Sequence, residues 1–328
     1  MKDLSSSLEI RNLEIRIGSG TQVRSADLVI EPGRSMGVVG ESGSGKSLTA
    51  LAIMGLLPET AKVSGEVNWQ GENLLRASAD RRREIRGREI AMIFQDPMSS
   101  LNPAFTVGFQ IDEVLKFRLG LKSKSQRRER ALKLLSDVGI PAAEERLKAY
   151  PHQLSGGMSQ RVSIAMALAG EPKLLIADEP TTALDVTVQM QILDLLTEIK
   201  RDRGMSMLFV THDLAVAARV CDEISVFYAG RTVEKAAASD LLKHPRHPYT
   251  EALLRARPHD SNEARKKLFS IPGTVPRPSN IIKGCVFASR CEKVFPLCTE
   301  RVPEKFGFPS GSADGSYARC FLLQKESL

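Results

Sequence analysis

The chain of 328 residues has no apolar run approaching the ~18 residues that a membrane-spanning helix needs. Residues 1–10 also lack the apolar core of a secretory leader. The chain is therefore expected to stay in the cytosol, where disulfides are rare. No internal repeat or low-complexity tract occurs. The cysteines show no C-x₂₋₄-C step of the zinc-ribbon kind. The net charge of +7 lacks a concentrated basic face. Clusters occur only at Arg81-Arg82-Arg83 and over residues 122–130, so the excess reads as solvated helix faces and no nucleic-acid partner is expected. What remains, 42% hydrophobic and 26% charged, describes an ordinary soluble globular chain long enough for one large α/β domain and a smaller one.

The informative stretch is Gly40-Glu41-Ser42-Gly43-Ser44-Gly45-Lys46-Ser47, a G-x-x-x-x-G-K-S pattern. A short apolar run at 35–39 precedes it as a buried strand, and residues 48–57 follow as a helix stopped by Pro58. Strand, glycine loop and helix form the setting in which this pattern cradles phosphate. Glycines lack Cβ, so successive backbone N–H groups can turn inward around an anion, and the positive end of the helix adds to that field. Lys46 is the candidate for the β and γ phosphates, and the Ser47 hydroxyl for Mg²⁺. The reading is a nucleoside-triphosphate site.

Residues 8–10 and 13–17 alternate as half-buried strands, and 23–30 and 65–69 extend a small antiparallel sheet. Residues 89–94 read as a core strand. From 96 to 151 the pattern turns helical, with helices expected at 107–119, 125–138 and 142–150, the second burying Leu132, Leu135 and Val138. Helices and apolar strands then alternate: helix to 169, strand 174–177, helix 186–201, strand 205–210, helix 214–220, strand 223–228. This predicts a mainly parallel sheet covered on both faces. After about residue 243, Pro245, Pro248, Pro258, Pro272, Pro276 and Pro278 punctuate a loop-rich tail.

Two carboxylates, Asp178 and Glu179, end the apolar run Leu174-Leu175-Ile176-Ala177. Ligands of parallel sheets lie outside the carboxyl ends of strands, which suits Asp178 to Mg²⁺ and Glu179 to polarising the attacking water. A second helix start, Leu154-Ser155-Gly156-Gly157-Met158-Ser159-Gln160-Arg161, offers another anion-binding end.

Together these motifs resemble the ATP-binding-cassette family, whose signature is L-S-G-G-Q, here with Met158 in the Gln position. The resemblance implies a P-loop ABC ATPase core of the α/β class, with an antiparallel β subdomain, a helical subdomain and a C-terminal extension. Residues 1–243 would form the nucleotide-binding domain (helical subdomain about 96–155), and 244–328 the small extension that carries cysteines. It implies paired cassettes, in which Ser155, Gly156 and Gly157 of one chain cap the ATP held by the other's phosphate loop. Phe94-Gln95-Asp96 resembles the Q-loop, in which Gln95 would touch Mg²⁺ or the lytic water. Ala183-Leu184-Asp185 resembles the D-loop, with Asp185 communicating across the dimer, and His212 resembles the switch histidine at the γ phosphate. The family's adenine-stacking aromatic is replaced by Ile17, so the base would pack on aliphatic or Arg side chains.

Gln95-Asp96-Pro97-Met98-Ser99-Ser100-Leu101-Asn102-Pro103, His247-Pro248-Tyr249-Thr250 and Ile271-Pro272-Gly273-Thr274-Val275-Pro276 are similar to the ATPases of oligopeptide, dipeptide and nickel uptake. That branch implies import driven from the cytoplasmic face of the inner membrane. Its partners would be a second, unlike ATPase, two membrane permeases and an extracytoplasmic binding protein. Cassettes that act on nucleic acid or ribosomes typically carry a coiled coil, a zinc hairpin or a fused second cassette, none of which is in the sequence. An exporter motor would not explain the tail motifs.

Cys285, Cys291, Cys298 and Cys320 follow the spacing C-x5-C-x6-C-x21-C. Reduced buried thiols, a zinc site and an iron–sulfur cluster of the 4Fe–4S type all remain open, the cluster tolerating the widest spacing. Some D-type peptide-importer subunits carry such a set. Cys221 reads as core packing.

Overall fold

A computed structural model describes residues 8–96, 100–182, 184–256, 269–311 and 315–326. Two segments singled out above, Pro97-Met98-Ser99 and Ala183, lie outside the described residues, as does Pro258. The chain divides into two compact units, one formed by Ile30–Ser35 with Trp69–Phe209, the other by Leu8–Val29, Met36–Asn68 and Val210–Leu328.

The second unit is built on strands in the order Ala61–Trp69, Leu8–Ile17, Gly20–Ile30, Arg231–Ala237, Glu223–Tyr228, Ser35–Val39. The last two pair in parallel with Val38 opposite Ser225, and all five residues of Ser35–Val39 are buried, as a continuous apolar run predicts. Leu8–Ile17 alternates buried and accessible positions as a single ten-residue strand, not two short ones.

The strand Arg231–Ala237 was not expected. It pairs antiparallel with Glu223–Tyr228 on one side and with Tyr317–Ala318 on the other, so the sheet is mixed. Glu234 and Lys235 concealed it, because two charges mid-segment look like surface. Both are buried with partners: the Glu234 carboxylate accepts from the backbone N–H groups of Arg246 (2.8 Å) and His247 (2.9 Å), and Lys235 pairs with Glu223 at 2.9 Å. Buried charge survives only when satisfied in this way. Against this strand packs an apolar cluster of Val226, Tyr228, Val233, Leu241, Tyr249, Val286 and Phe287. The Tyr228 and Tyr249 rings meet edge to face at 4.6 Å.

The first unit carries strands Ile90–Ile93, Leu174–Asp178 and Ser206–Thr211, the first two parallel with Ile93 opposite Ala177. Helix Lys124–Asp137 starts on a Ser123 cap and buries Leu135 and, at its C-cap, Val138, as expected; Ala131 and Leu134 are buried with them, while Leu132 is only half-buried. The helix expected over 142–150 shrinks to Ala143–Arg146. Ala142 sits at φ +52°, a left-handed conformation that delays the start, and Pro151 opens a separate 3₁₀ turn. Among the described residues no helix is long and apolar enough to cross a membrane.

His247 caps the helix Pro248–Arg255, its Nδ1 accepting from the Tyr249 N–H at 3.1 Å. Burial alone pushes its pKa down to about 3. An unfolded chain binds that proton near pH 6.5, so between pH 6.5 and 3 the unfolded state is the more protonated and stability falls on acidification. Burial raises the pKa of Glu234, which offsets part of this. His247→Asn keeps a capping oxygen without the titration. It should flatten the dependence of Tm on pH between 6.5 and 4, where the wild-type histidine contributes about 3 kcal/mol of loss. Thermal melts across that range check it, and parallel wild-type and variant curves would contradict the assignment.

Candidate active site

Strand Ser35–Val39 delivers the chain to Gly40 at a point where a side chain has no room. A Cβ there would lie 2.1 Å from the Phe227 carbonyl oxygen. Gly45 caps helix Lys46–Met54 at φ +96°, with Val23 Cγ2 2.9 Å from where its Cβ would be. Glycine is thus required at the first position by close approach and at the second by conformation as well. Between them the loop folds over itself. Lys46 is buried, and its ammonium donates to the carbonyls of Gly40 (2.7 Å) and Glu41 (3.1 Å). The Ser44 hydroxyl is fully buried and has no hydrogen-bond partner within the protein. An orphaned hydroxyl and a buried ammonium at the N-terminus of a helix form a donor set for an oxyanion such as phosphate. Ser42, Gly43 (φ +78°) and Ser47 complete the turn.

His212 follows strand Ser206–Thr211 and is exposed. Its neighbour Asp213 accepts from the N–H groups of Ala215 and Val216, starting helix Leu214–Val220, so the turn that presents His212 is fastened on its C-terminal side.

In the other unit, the parallel pairing of Ile90–Ile93 with Leu174–Asp178 makes Gln95 and Glu179 leave adjacent strand ends. Gln95 Nε2 lies 3.4 Å from Glu179 Oε2, to which Thr182 also donates at 3.0 Å. Asp178 is buried at the strand end. Glu179 has φ +46°, uncommon for a residue with a side chain and the kind of local strain that accumulates at functional turns. Ser155 caps helix Gly156–Leu168 through the N–H of Met158 at 3.3 Å. Asp185 caps helix Val186–Arg203 through the N–H of Val188 at 2.9 Å. These two helix starts touch, because a Cβ on Gly157 would be 2.9 Å from Val188 Cγ1 and one on Gly156 3.9 Å from Leu184 Cδ2. The structure therefore brings Gln95 to Glu179, and the Ser155 turn to the Asp185 turn.

Ile17 ends its strand half-buried. All five cysteines are free. The Cys285 N–H donates to the Cys298 carbonyl at 2.7 Å. Burial first, and the neighbouring thiols after it, push the pKa of Cys285 and of Cys320 up to about 11; burial also raises that of Cys291. Among the described residues, however, no three His, Cys, Asp or Glu side chains stand at metal-holding distances, so the tail as folded here does not form the expected cluster cage.

Residues around Glu41 went unnoticed in the sequence. Its N–H donates to the Tyr249 hydroxyl at 3.0 Å, and its carboxylate pairs with Arg290 at 2.6 Å. Tyr249 lies in a recognisable motif, but no periodicity or spacing ties either residue to a glycine loop some two hundred positions earlier.

The family model for ABC transporters matches residues 23–182, and that for the C-terminal region of oligopeptide/dipeptide transporters matches 233–298. The dipeptide transport ATP-binding protein DppD of Escherichia coli K12 is 48% identical over 318 residues, covering 95% of each chain. The chain belongs to the peptide-transporter branch of the ABC ATP-binding proteins. Another member, the oligopeptide transport ATP-binding protein OppD of Salmonella typhimurium, is 45% identical over 98% of this chain and 95% of that one. Among solved structures, the ATP-binding cassette MJ0796 in a dimeric post-hydrolysis state with ADP and Pi superposes with a TM-score of 0.63. It is 30% identical and covers 70% of this chain and 98% of that one. The ABC cassette fold expected from the motifs is thereby the fold of this chain.

Gly40→Ala in this ABC ATP-binding protein forces a methyl onto the Phe227 carbonyl. It should cost about 1–3 kcal/mol of stability, as overpacking does, and abolish measurable nucleotide binding. Denaturant unfolding and titration with a fluorescent ATP analogue check both; retained affinity would contradict the close approach.

Proposed function

We propose that this chain is the ATP-hydrolysing subunit of a membrane ABC importer, coupling ATP turnover in a cassette dimer to uptake of peptides or a related small solute. The observation that carries the reading is the near-full-length identity to dipeptide and oligopeptide transport ATP-binding proteins, joined to a loop whose unpartnered Ser44 hydroxyl and buried Lys46 ammonium suit a triphosphate. The chain's place is peripheral, on the cytoplasmic face of the inner membrane. Its partners are a second ATPase subunit that is a non-identical paralogue, two permeases and an extracytoplasmic solute-binding protein. Residues 1–243 act as the nucleotide-binding domain with a helical part at about 96–155, and 244–328 as the extension.

Gly40, Ser42, Gly43, Ser44, Gly45 and Lys46 bind the triphosphate. Ser47, Asp178 and Gln95 are the groups that would hold Mg²⁺, which offsets phosphate charge when bound. Glu179 orients and deprotonates the attacking water, supported by its contact with Gln95, while His212 contacts the γ phosphate. Ser155, Gly156, Gly157 and Asp185 serve the nucleotide of the partner cassette, which suits two capped helix starts packed side by side.

Replacing Glu179 by Gln should keep ATP binding, lower turnover by ~10²–10⁴-fold, the worth of one placed general base, and trap a nucleotide-bound dimer. Single-turnover hydrolysis with size-exclusion analysis tests this. Near-normal hydrolysis would remove Glu179 from the role.

Cys285, Cys291, Cys298 and Cys320 are proposed as ligands of a 4Fe–4S cluster. Their support is four cysteines in one tail, none of them in a disulfide, two of which are joined through the Cys285 N–H and the Cys298 carbonyl at 2.7 Å. Anaerobically purified protein should be brown with about four irons per chain. Colourless protein carrying one zinc, or four titratable thiols and no metal, would refute it.

A further inference from the structure

The loop residue Glu41 is held at every polar group by which it can be held. Its N–H donates to the Tyr249 hydroxyl at 3.0 Å. Its carbonyl accepts from the Lys46 ammonium at 3.1 Å and the Ser44 N–H at 3.2 Å. Its carboxylate receives Arg290 in a two-point grip, Nη1 to Oε2 at 2.6 Å and Nη2 to Oε1 at 3.2 Å. The Arg290 side chain is 4% exposed. Its remaining donors are all used: Nε on the Pro272 carbonyl (2.7 Å), Nη2 on the Ile271 carbonyl (3.1 Å) and Nη1 on the Tyr228 hydroxyl (3.3 Å). A guanidinium with all five N–H groups satisfied in a buried setting is fixed in place.

Apart from Lys46 and Ser44 of the loop itself, none of these partners belongs to a nucleotide motif. Tyr249 comes from the helix Pro248–Arg255, Ile271 and Pro272 from the proline-rich segment, and Arg290 from the short turn Ala288–Arg290 beside Cys291. All belong to the same compact unit as the loop. The arrangement does two things at once. It fixes the backbone that positions Lys46, and it neutralises a carboxylate inside a loop that must accept a highly negative ligand. A carboxylate left uncompensated there would repel a triphosphate.

We infer that Arg290, with Tyr249, is a positioning residue for the phosphate loop, through which the C-terminal extension sets the affinity for ATP. This rests on the ATP-binding reading above. Arg290 touches no substrate; it acts through Glu41, first by holding the loop closed around Lys46 and second by cancelling the charge of Glu41.

The two effects separate by mutation in the full-length chain, read by titration with Mg²⁺ and a ribose-labelled fluorescent ATP analogue, with thermal melts reporting folding. Arg290→Ala should weaken binding about tenfold, a difference of about 1.4 kcal/mol. Arg290→Lys should recover part of it, because a single ammonium restores the charge but not the two-point grip. Adding Glu41→Gln to Arg290→Ala should regain at least about threefold in affinity, because the repelling charge is gone. A purely structural fastening predicts no such recovery. Tyr249→Phe keeps the ring and removes only the acceptor, and should weaken binding about threefold. In the transporter assembled with its permeases, the Arg290→Ala defect should appear in KM more than in kcat. Arg290→Ala binding within twofold of wild type would overturn the inference, as would a double variant no better than the single. Should Arg290→Ala fail to fold, Tyr249→Phe decides: wild-type affinity there overturns the inference and a loss upholds it. A wild-type chain that does not bind the analogue at all would instead overturn the ATP-binding reading.

Discussion

The carbonyl of Phe227 occupies the place where a side chain at position 40 would have to go, and the nucleotide loop depends on that close approach. With glycine there, the loop leaves strand Ser35–Val39 hard against strand Glu223–Tyr228, whose last residue, Tyr228, then stands beneath it. From Tyr228 the contacts spread to Tyr249 and Phe287, each ring within about 5 Å of the next, and to the guanidinium of Arg290. Sheet, loop and tail form one packed neighbourhood, and the sequence motif for phosphate is its upper surface. Interiors at crystal-like density pass a misfit on, so the loop's geometry answers to residues that never meet a phosphate.

Much of this was legible from the residues. The run 35–39, the glycine spacing and Lys46 announced the loop because each reflects a local necessity: burial on both faces, positive φ, a cation on phosphate. The acid pair after 174–177 was legible for the same reason, and the contact between Gln95 and Glu179 follows from the parallel register of the two strands that precede them. Less legible was anything whose cause lies far along the chain. Strand Arg231–Ala237 looked polar because Glu234 and Lys235 find their partners at Arg246, His247 and Glu223. The helix anticipated at 142–150 starts one residue late, at the left-handed Ala142, and is over by Arg146, before the separate turn that Pro151 opens. Arg290 gave no signal, since a lone arginine in a loop-rich tail is normally surface.

Charge is buried in this protein in two different ways. Glu234 is stabilised by backbone dipoles: two consecutive N–H groups at the start of a helix point at it, with His247 kept neutral beside them. Glu41 is stabilised by a full opposite charge. Burial alone would lower the pKa of Arg290, but its bonds to Glu41 and Tyr228 outweigh this and raise it, so it stays cationic at any relevant pH. The first arrangement holds an element end in place. The second keeps an acidic residue compatible with an anion site.

Glu41 and Arg290 are separated by 249 positions in sequence. On the ribosome, at roughly 5–20 residues per second, the loop therefore emerges roughly 10–50 s before the arginine that grips it. During that interval Glu41 carries its charge bare, and the aromatic floor lacks Tyr249 and Phe287. The growing chain gains the groups that grip Glu41 only as its last few dozen residues are made. Synthesis thus runs toward competence from the far end, and a chain released before position 290 carries the whole phosphate motif without the groups that close it.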